Sequence, residues 1–138
     1  MTFVLDGSVT MAWCFQDEAT AYTESVFDRL WQTEALVPAI WPLEVANVLL
    51  SGERAHRLTQ ADATRFLQVL QALPISIDTQ NSPRAFGPVL ALGREHLLSA
   101  YDAAYLELAM REGLALATLD ESLRSAAGHV GVPLVDET

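Results

Sequence analysis

The chain has no lysine: all eight of its basic residues are arginine. That absence excludes Schiff-base catalysis, which needs a lysine amine, and a P-loop with its phosphate-holding lysine. Cysteine is almost as scarce. Cys14 stands alone, so neither an internal disulfide nor a Cys-rich zinc site can form, and a reducing compartment, the cytoplasm, is the expected setting. No charged leader followed by an apolar run opens the sequence, which argues against a cleaved signal peptide. The longest apolar stretch, from Ala35 to Leu50, is interrupted by Pro38, Pro42 and Glu44, and is too short and too broken to span a bilayer. Positive charge is also in short supply. A net charge of −10 has the wrong sign for a protein that simply coats nucleic acid.

What is present points to one globular domain over residues 1–138, with 51% hydrophobic and 19% charged residues. Short β-prone runs at Thr2–Leu5, Ala35–Val37, Ile75–Ile77 and Leu114–Thr118 alternate with helical patterns, and Pro133–Val135 adds a further short strand. The predicted helices are Val9–Phe15 capped by Ser8, Ala21–Trp31, Ile40 to about Ala55, Thr59–Leu73, Pro83–His96, Tyr101–Arg111 and Glu121–Ala127. Thr59 with Asp62 three residues on has the spacing of a capping box. Strands this short and apolar, separated by helices, predict an α/β fold: a parallel sheet with helices on both faces. In such sheets ligands bind beyond the C-terminal strand ends, where strand order reverses.

Four acids fall where that geometry makes them conspicuous. Asp6 and Asp120 each follow a predicted strand at its C-terminal end. Glu44 lies between Leu43 and Val45 in the most apolar helix, where a lone carboxylate is costly. Asp102 opens the later helix Tyr101–Arg111, again in apolar company. Carboxylates brought together in such surroundings call for a shared cation, and oxygen-only ligands suit Mg²⁺ or Mn²⁺. His56, His96 and His129 are too scattered for a zinc pattern. Acids around a hard divalent ion fit hydrolysis of a phosphodiester. Structural duties compete with this reading: Asp6 can end a strand, Asp120 can cap the last helix, and Ser99 with Asp102 has capping-box spacing. Glu44 is the hardest to explain that way. Cys14, Trp13, Trp31 and Trp41 read as packing residues, and His129 as an exposed one.

Four stretches carry a family resemblance, in order and across essentially the whole chain. They are Val4-Leu5-Asp6-Gly7-Ser8, then Pro42-Leu43-Glu44-Val45-Ala46-Asn47-Val48-Leu49, then Ser99-Ala100-Tyr101-Asp102 running on through Ala109, and Ala117-Thr118-Leu119-Asp120. The chain resembles a PIN domain, in particular the VapC-like ribonuclease toxins of toxin–antitoxin pairs. The resemblance implies a three-layer α/β/α fold with a short-stranded parallel sheet and an Mg²⁺-dependent endoribonuclease activity. It implies a metal site of Asp6, Glu44, Asp102 and Asp120, with Ser8 and Thr118 as polar neighbours orienting the acids and Asn47 in support. It also implies an RNA substrate, a homodimer and a cognate antitoxin.

Rival families fare worse. A haloacid-dehalogenase-like phosphatase needs an acid or aromatic where Ser8 stands and a lysine further on, and a phospho-acceptor receiver needs the same missing lysine. A PIN fold kept for protein contact, or a PIN nuclease of RNA processing without an antitoxin, stays compatible with these residues. How so acidic a chain holds RNA falls to its arginines. Arg54, Arg57 and Arg65 lie close together across one predicted helix–helix turn, with Arg84 and Arg94 as the other candidates.

Overall fold

The computed structural model describes residues 1–136. Parallel strands cannot be joined by a tight hairpin; each pair needs a crossover that climbs back over the sheet. Every pairing here is parallel, so the helices are a consequence of the sheet. In chain order come β1 (Phe3–Leu5), α1 (Gly7–Ala12), α2 (Ala21–Arg29), β2 (Ala35–Val37), α3 (Trp41–Arg54), α4 (Gln60–Ala72) and β3 (Ile75–Ile77). They are followed by α5 (Leu90–His96), α6 (Ala100–Glu112), β4 (Ala115–Ala117) and α7 (Glu121–Val130). The strand order is β3-β2-β1-β4, with Phe3 opposite Ala35 on one side and Ala115 on the other.

That order reverses direction once. From β1 the chain steps outward to β2 and β3, then returns across the sheet to lay β4 against the free side of β1. Right-handed crossovers put the helices of the outward and return steps on opposite faces. The packing follows: α1 contacts α2 and α3, while α6 contacts α5, α7, β1 and β4. The central strand β1 is wholly buried, and the edge strand β3 is partly exposed. The expected three-layer α/β/α architecture is therefore the observed one, and its reversal point lies between β1 and β4.

Several helix ends fit the local chemistry expected of them. Thr59 and Asp62 form a reciprocal capping box, each side chain bonding the other's backbone N–H. Pro42 sits in the first turn of α3, where its missing N–H costs nothing. Trp41 is buried and donates its indole N–H to Thr10 Oγ1 at 3.0 Å, joining α3 to α1 as a packing residue. Trp13 donates to the Thr23 carbonyl at 2.7 Å and is half-buried, whereas Trp31 is exposed. Cys14 is half-buried against the core, and His129 is exposed.

Three expectations need correction. The first helix begins at Gly7 with Asp6 at its N-cap, so Ser8 lies inside the first turn and caps nothing; its hydroxyl is engaged elsewhere. The predicted helix Pro83–His96 is three pieces: a 3₁₀ turn at Ser82–Arg84, a π turn at Ala85–Val89 and α5. Pro88 lies inside the π turn, and its missing N–H and ring forbid a regular α-helix there. The predicted strand Pro133–Val135 reduces to a single bridge between Leu134 and Leu116, because β4 is only three residues long.

Candidate metal centre

The end of β1 and the end of β4 are sewn together by side chains. The backbone N–H of Asp6 donates to the Ala117 carbonyl at 3.0 Å, continuing the ladder one residue past β1. Ser8 Oγ and Thr118 Oγ1 both donate to Asp6 Oδ2, at 2.6 and 2.7 Å. The same hydroxyls accept in turn: Leu119 N–H donates to Ser8 Oγ and Asp120 N–H to Thr118 Oγ1, each at 3.0 Å. Asp6 is thus fixed by two hydroxyls that serve only one of its oxygens. Asp6 and Thr118 are buried.

Asp120 does cap the last helix, its Oδ1 accepting from Ser122 N–H at 3.2 Å. The structural and functional readings of Asp120 are compatible, because a cap bond occupies one lone pair of one oxygen. Ser99 caps α6 by accepting from Asp102 N–H at 3.1 Å, a single cap bond rather than a reciprocal capping box. Glu44, in the first turn of α3, accepts a 2.5 Å hydrogen bond at Oε1 from the hydroxyl of the fully buried Tyr105. Gly7 lies against this pair without being required there: a Cβ added to it would make only ordinary van der Waals contacts, 3.8 Å from Glu44 Oε1 and 3.7 Å from the Tyr105 hydroxyl.

The structure therefore brings all four predicted acids to one edge of the sheet, and their charges are felt mutually. Asp6 holds its proton more tightly than an ordinary aspartate, chiefly through burial, with Asp120 adding repulsion against the two hydroxyl bonds. Glu44 is raised by burial and by the charges of Asp6 and Asp102. Asp102 is pushed up to about 6 by burial, then by Asp6 and Asp120. Tyr105 is raised too, by burial and the charge of Asp6, so it stays a hydrogen-bond donor. Asn47, expected as a supporting group, is exposed one turn further along α3.

A repelling set of oxygens at a sheet edge suits a hard divalent cation in chemistry and position. Among the described residues, no three His, Cys, Asp or Glu side chains already stand in a ligand cage.

A profile of the PIN domain matches residues 3–129. The chain belongs to the PIN-domain family. Among curated relatives of this PIN domain, Ribonuclease VapC3 of Pyrobaculum aerophilum is 28% identical over 123 residues, covering 89% of this chain and 92% of that protein. Ribonuclease VapC3 of Mycobacterium tuberculosis is 36% identical over 98 residues, 71% of this chain and 69% of that one. The crystal structure of PAE2754 from Pyrobaculum aerophilum superposes with a TM-score of 0.65 at 26% identity, covering 91% of this chain and 87% of the other. VapBC2 from Rickettsia felis, bound to a DNA fragment from their promoter, shares the fold with a TM-score of 0.67 over 98% of each chain at 11% identity. The PIN fold and the VapC-like resemblance drawn from four acidic motifs are both borne out.

Two parts of this PIN domain were not singled out from sequence. Tyr105 lies one turn after Asp102, a spacing that puts both on one helix face, and it positions Glu44. Glu107 is the other. It is 2% exposed and accepts from Asn81 Nδ2 at 2.7 Å, from Arg111 Nε at 2.9 Å and from Arg84 Nε. Arg111 also grips Asp78, just past β3, at 2.7 Å, and the two acids hold its guanidinium well above its usual pKa. The arginine arm looks different too. Arg57 pairs with Asp17 and Glu18 and stacks over Phe15, and Arg65 pairs with Asp62, so that turn carries its own counter-charges.

The raised acids set a pH dependence. Asp6, Glu44 and Asp102 bind protons more tightly folded than unfolded, so without metal the folded chain holds extra protons above their ordinary carboxylate values, up to about 6 in the case of Asp102. Stability should then fall as pH rises from the ordinary carboxylate range, with the Asp102 share of the loss complete above about 6. Asp78, whose pKa is lowered, has the opposite sign, and its window lies below 3.8. After screening by solvent at the half-exposed Asp102, its share of the loss is about 1 kcal/mol. Melting curves in EDTA across this range test it: the slope should be weaker in Asp102→Asn, and an identical slope in that variant would reject the repulsion.

Proposed function

We propose that this chain, acting as one PIN domain, is a metal-dependent endoribonuclease: a VapC-type toxin that hydrolyses RNA phosphodiester bonds with Mg²⁺, or Mn²⁺ in its place. The observation that carries this reading is the convergence of Asp6, Glu44, Asp102 and Asp120 on the reversal point of a PIN fold. The names of its curated relatives supply the substrate class. Asp6, Glu44, Asp102 and Asp120 would hold the ion. When bound, such an ion lowers the pKa of water and offsets charge building on the phosphate.

The chain's own groups do the positioning. Ser8 and Thr118 orient the Asp6 carboxylate through Oδ2, and Tyr105 orients Glu44 through Oε1. Burial of Asp6 keeps its charge from being screened by bulk water. We further read the protein as a cytoplasmic homodimer restrained by a cognate antitoxin. Among the described residues no helix is long and apolar enough to cross a membrane.

Attack by water, rather than by the RNA's own 2′-hydroxyl, leaves a 5′-phosphate on one fragment and a 3′-hydroxyl on the other. End-mapping of cleaved RNA is the decisive experiment, and EDTA should reduce the rate to background. Cyclic 2′,3′-phosphate ends, or undiminished cleavage in EDTA, would falsify the mechanism.

A further inference from the structure

An apolar slot of about 300 Å³ opens beside the acids, on the side of β2 and β3. Its walls include Ile40, Tyr101, Ala104, Asn81, Ala85 and Val89. None of the four acids lines it, but two of its walls come from the helix turns that carry them: Ile40 lies one helical turn before Glu44, and Tyr101 immediately precedes Asp102. Tyr101 presents an exposed aromatic side chain at its rim.

The slot has one polar peculiarity. Asn81 is 5% exposed, and its Nδ2 donates to Glu107 Oε2 at 2.7 Å and to the Ala104 carbonyl at 3.3 Å. Only the NH₂ end of an amide can donate to a carboxylate, so the orientation of Asn81 is fixed. Its Oδ1 is left buried and without a partner. An unpaired carbonyl oxygen of this kind is costly in a fold and calls for a donor. The next segment, Ala85–Val89, is a π turn, a form that recurs at functional sites.

We propose that this slot receives one splayed-out base of a single-stranded RNA, stacked on Tyr101, with an N–H on the base edge donating to Asn81 Oδ1. The proposal rests on the ribonuclease reading above. Three observations select a base as the occupant. A phosphodiester lying at the acids puts a neighbouring nucleotide beside Tyr101. The bases of A, C, G and U all present an N–H donor, which complements the orphaned acceptor. With a net charge of −10 the chain as a whole repels phosphates, so contacts that carry no charge gain weight beside those of a bound cation and the arginines. Stacking of unpaired bases on aromatic side chains is such a contact, and it is how single-stranded RNA is commonly read.

The test compares wild type with Tyr101→Ala, Tyr101→Phe and Ala85→Leu, the last filling the slot. Affinity is read by fluorescence quenching of a short unpaired oligoribonucleotide containing 2-aminopurine, in an Asp6→Asn background where the probe stays intact. Cleavage sites are read separately in Asp6 chains, by sequencing the ends from a pool of RNAs with randomised loops. Tyr101→Ala and Ala85→Leu should each weaken probe binding about tenfold and blunt the base preference beside the cut. Tyr101→Phe, which keeps the stacking face, should stay within about twofold of wild type.

If wild type cleaves RNA while the variants bind and cut as it does, the slot is not a base site. If wild type cleaves no RNA, the ribonuclease reading falls and the base site falls with it. If RNA binding and cutting are unchanged but the variants lose their hold on the protein encoded beside this gene, the slot belongs to a protein partner and the base assignment is overturned. Melting curves for each variant separate these outcomes from misfolding.

Discussion

Asp6→Asn is expected to lower RNA cleavage by a factor of about 100 or more while leaving the melting temperature in EDTA unchanged or higher. The catalytic loss follows from removing a charged oxygen donor at the centre of the site, where even groups that only orient a ligand contribute roughly 10- to 100-fold. The fold survives for a local reason. The amide oxygen of asparagine can still accept from Ser8 Oγ and Thr118 Oγ1, which now bond Asp6 Oδ2. Stability rises because the substitution removes a buried charge that Asp120 repels. Rates on a defined RNA and melting curves on the same preparation check both halves. Wild-type activity in this variant would remove Asp6 from the metal site.

Glu107→Ala is expected to act in the opposite sense, harming the fold first. Glu107 is buried and ties together Arg84, Asn81 and Arg111, and Arg111 continues to Asp78 beyond β3. Truncating it leaves guanidinium and amide groups facing a hole. Breaking a buried charge network from one side costs about 3–5 kcal/mol, which for a chain of this size lowers the melting temperature by roughly 10–20 °C. Urea unfolding at neutral pH measures it. A loss below about 1 kcal/mol would show that Asp78 alone suffices to hold Arg111.

The contrast between Glu44 and Glu107 shows what could be read from the sequence and what could not. Both are carboxylates in apolar helices, and the same physical suspicion applies to each. Glu44 stood out because its helix was the most apolar of the chain. Glu107 was absorbed into the motif following Asp102, and nothing local reveals that Asn81, Arg84 and Asp78 will surround it; those partners arrive only through the sheet. Asp78 follows β3 much as Asp6 follows β1, yet it faces arginine rather than other acids. Strand positions, the parallel sheet and the four acids were legible because short apolar runs and their end residues are local signals. The π turn at Ala85–Val89 and the loss of the strand at Pro133–Val135 depended on Pro88 and on the brevity of β4. The position of Ser8 hung on two residues of helix register: beginning α1 at Gly7 rather than Val9 turned a predicted cap into a brace for Asp6.

The junction of β1 with β4 also has a consequence for how the protein comes into being on the ribosome. The bond from Thr118 to Asp6 joins groups 112 residues apart, and β4 follows every other strand of the sheet. Contacts so distant in the chain close late, after the nearer ones. A nascent polypeptide ending before residue 115 can already pair β1, β2 and β3, but it has neither the Thr118 hydroxyl nor the Asp120 carboxylate. At about 5–20 residues added per second, the interval in which the chain is partly folded but chemically unarmed lasts for seconds. The machine that translates this message is itself made of RNA, and it has to reach residue 120 before the last of the four acids exists.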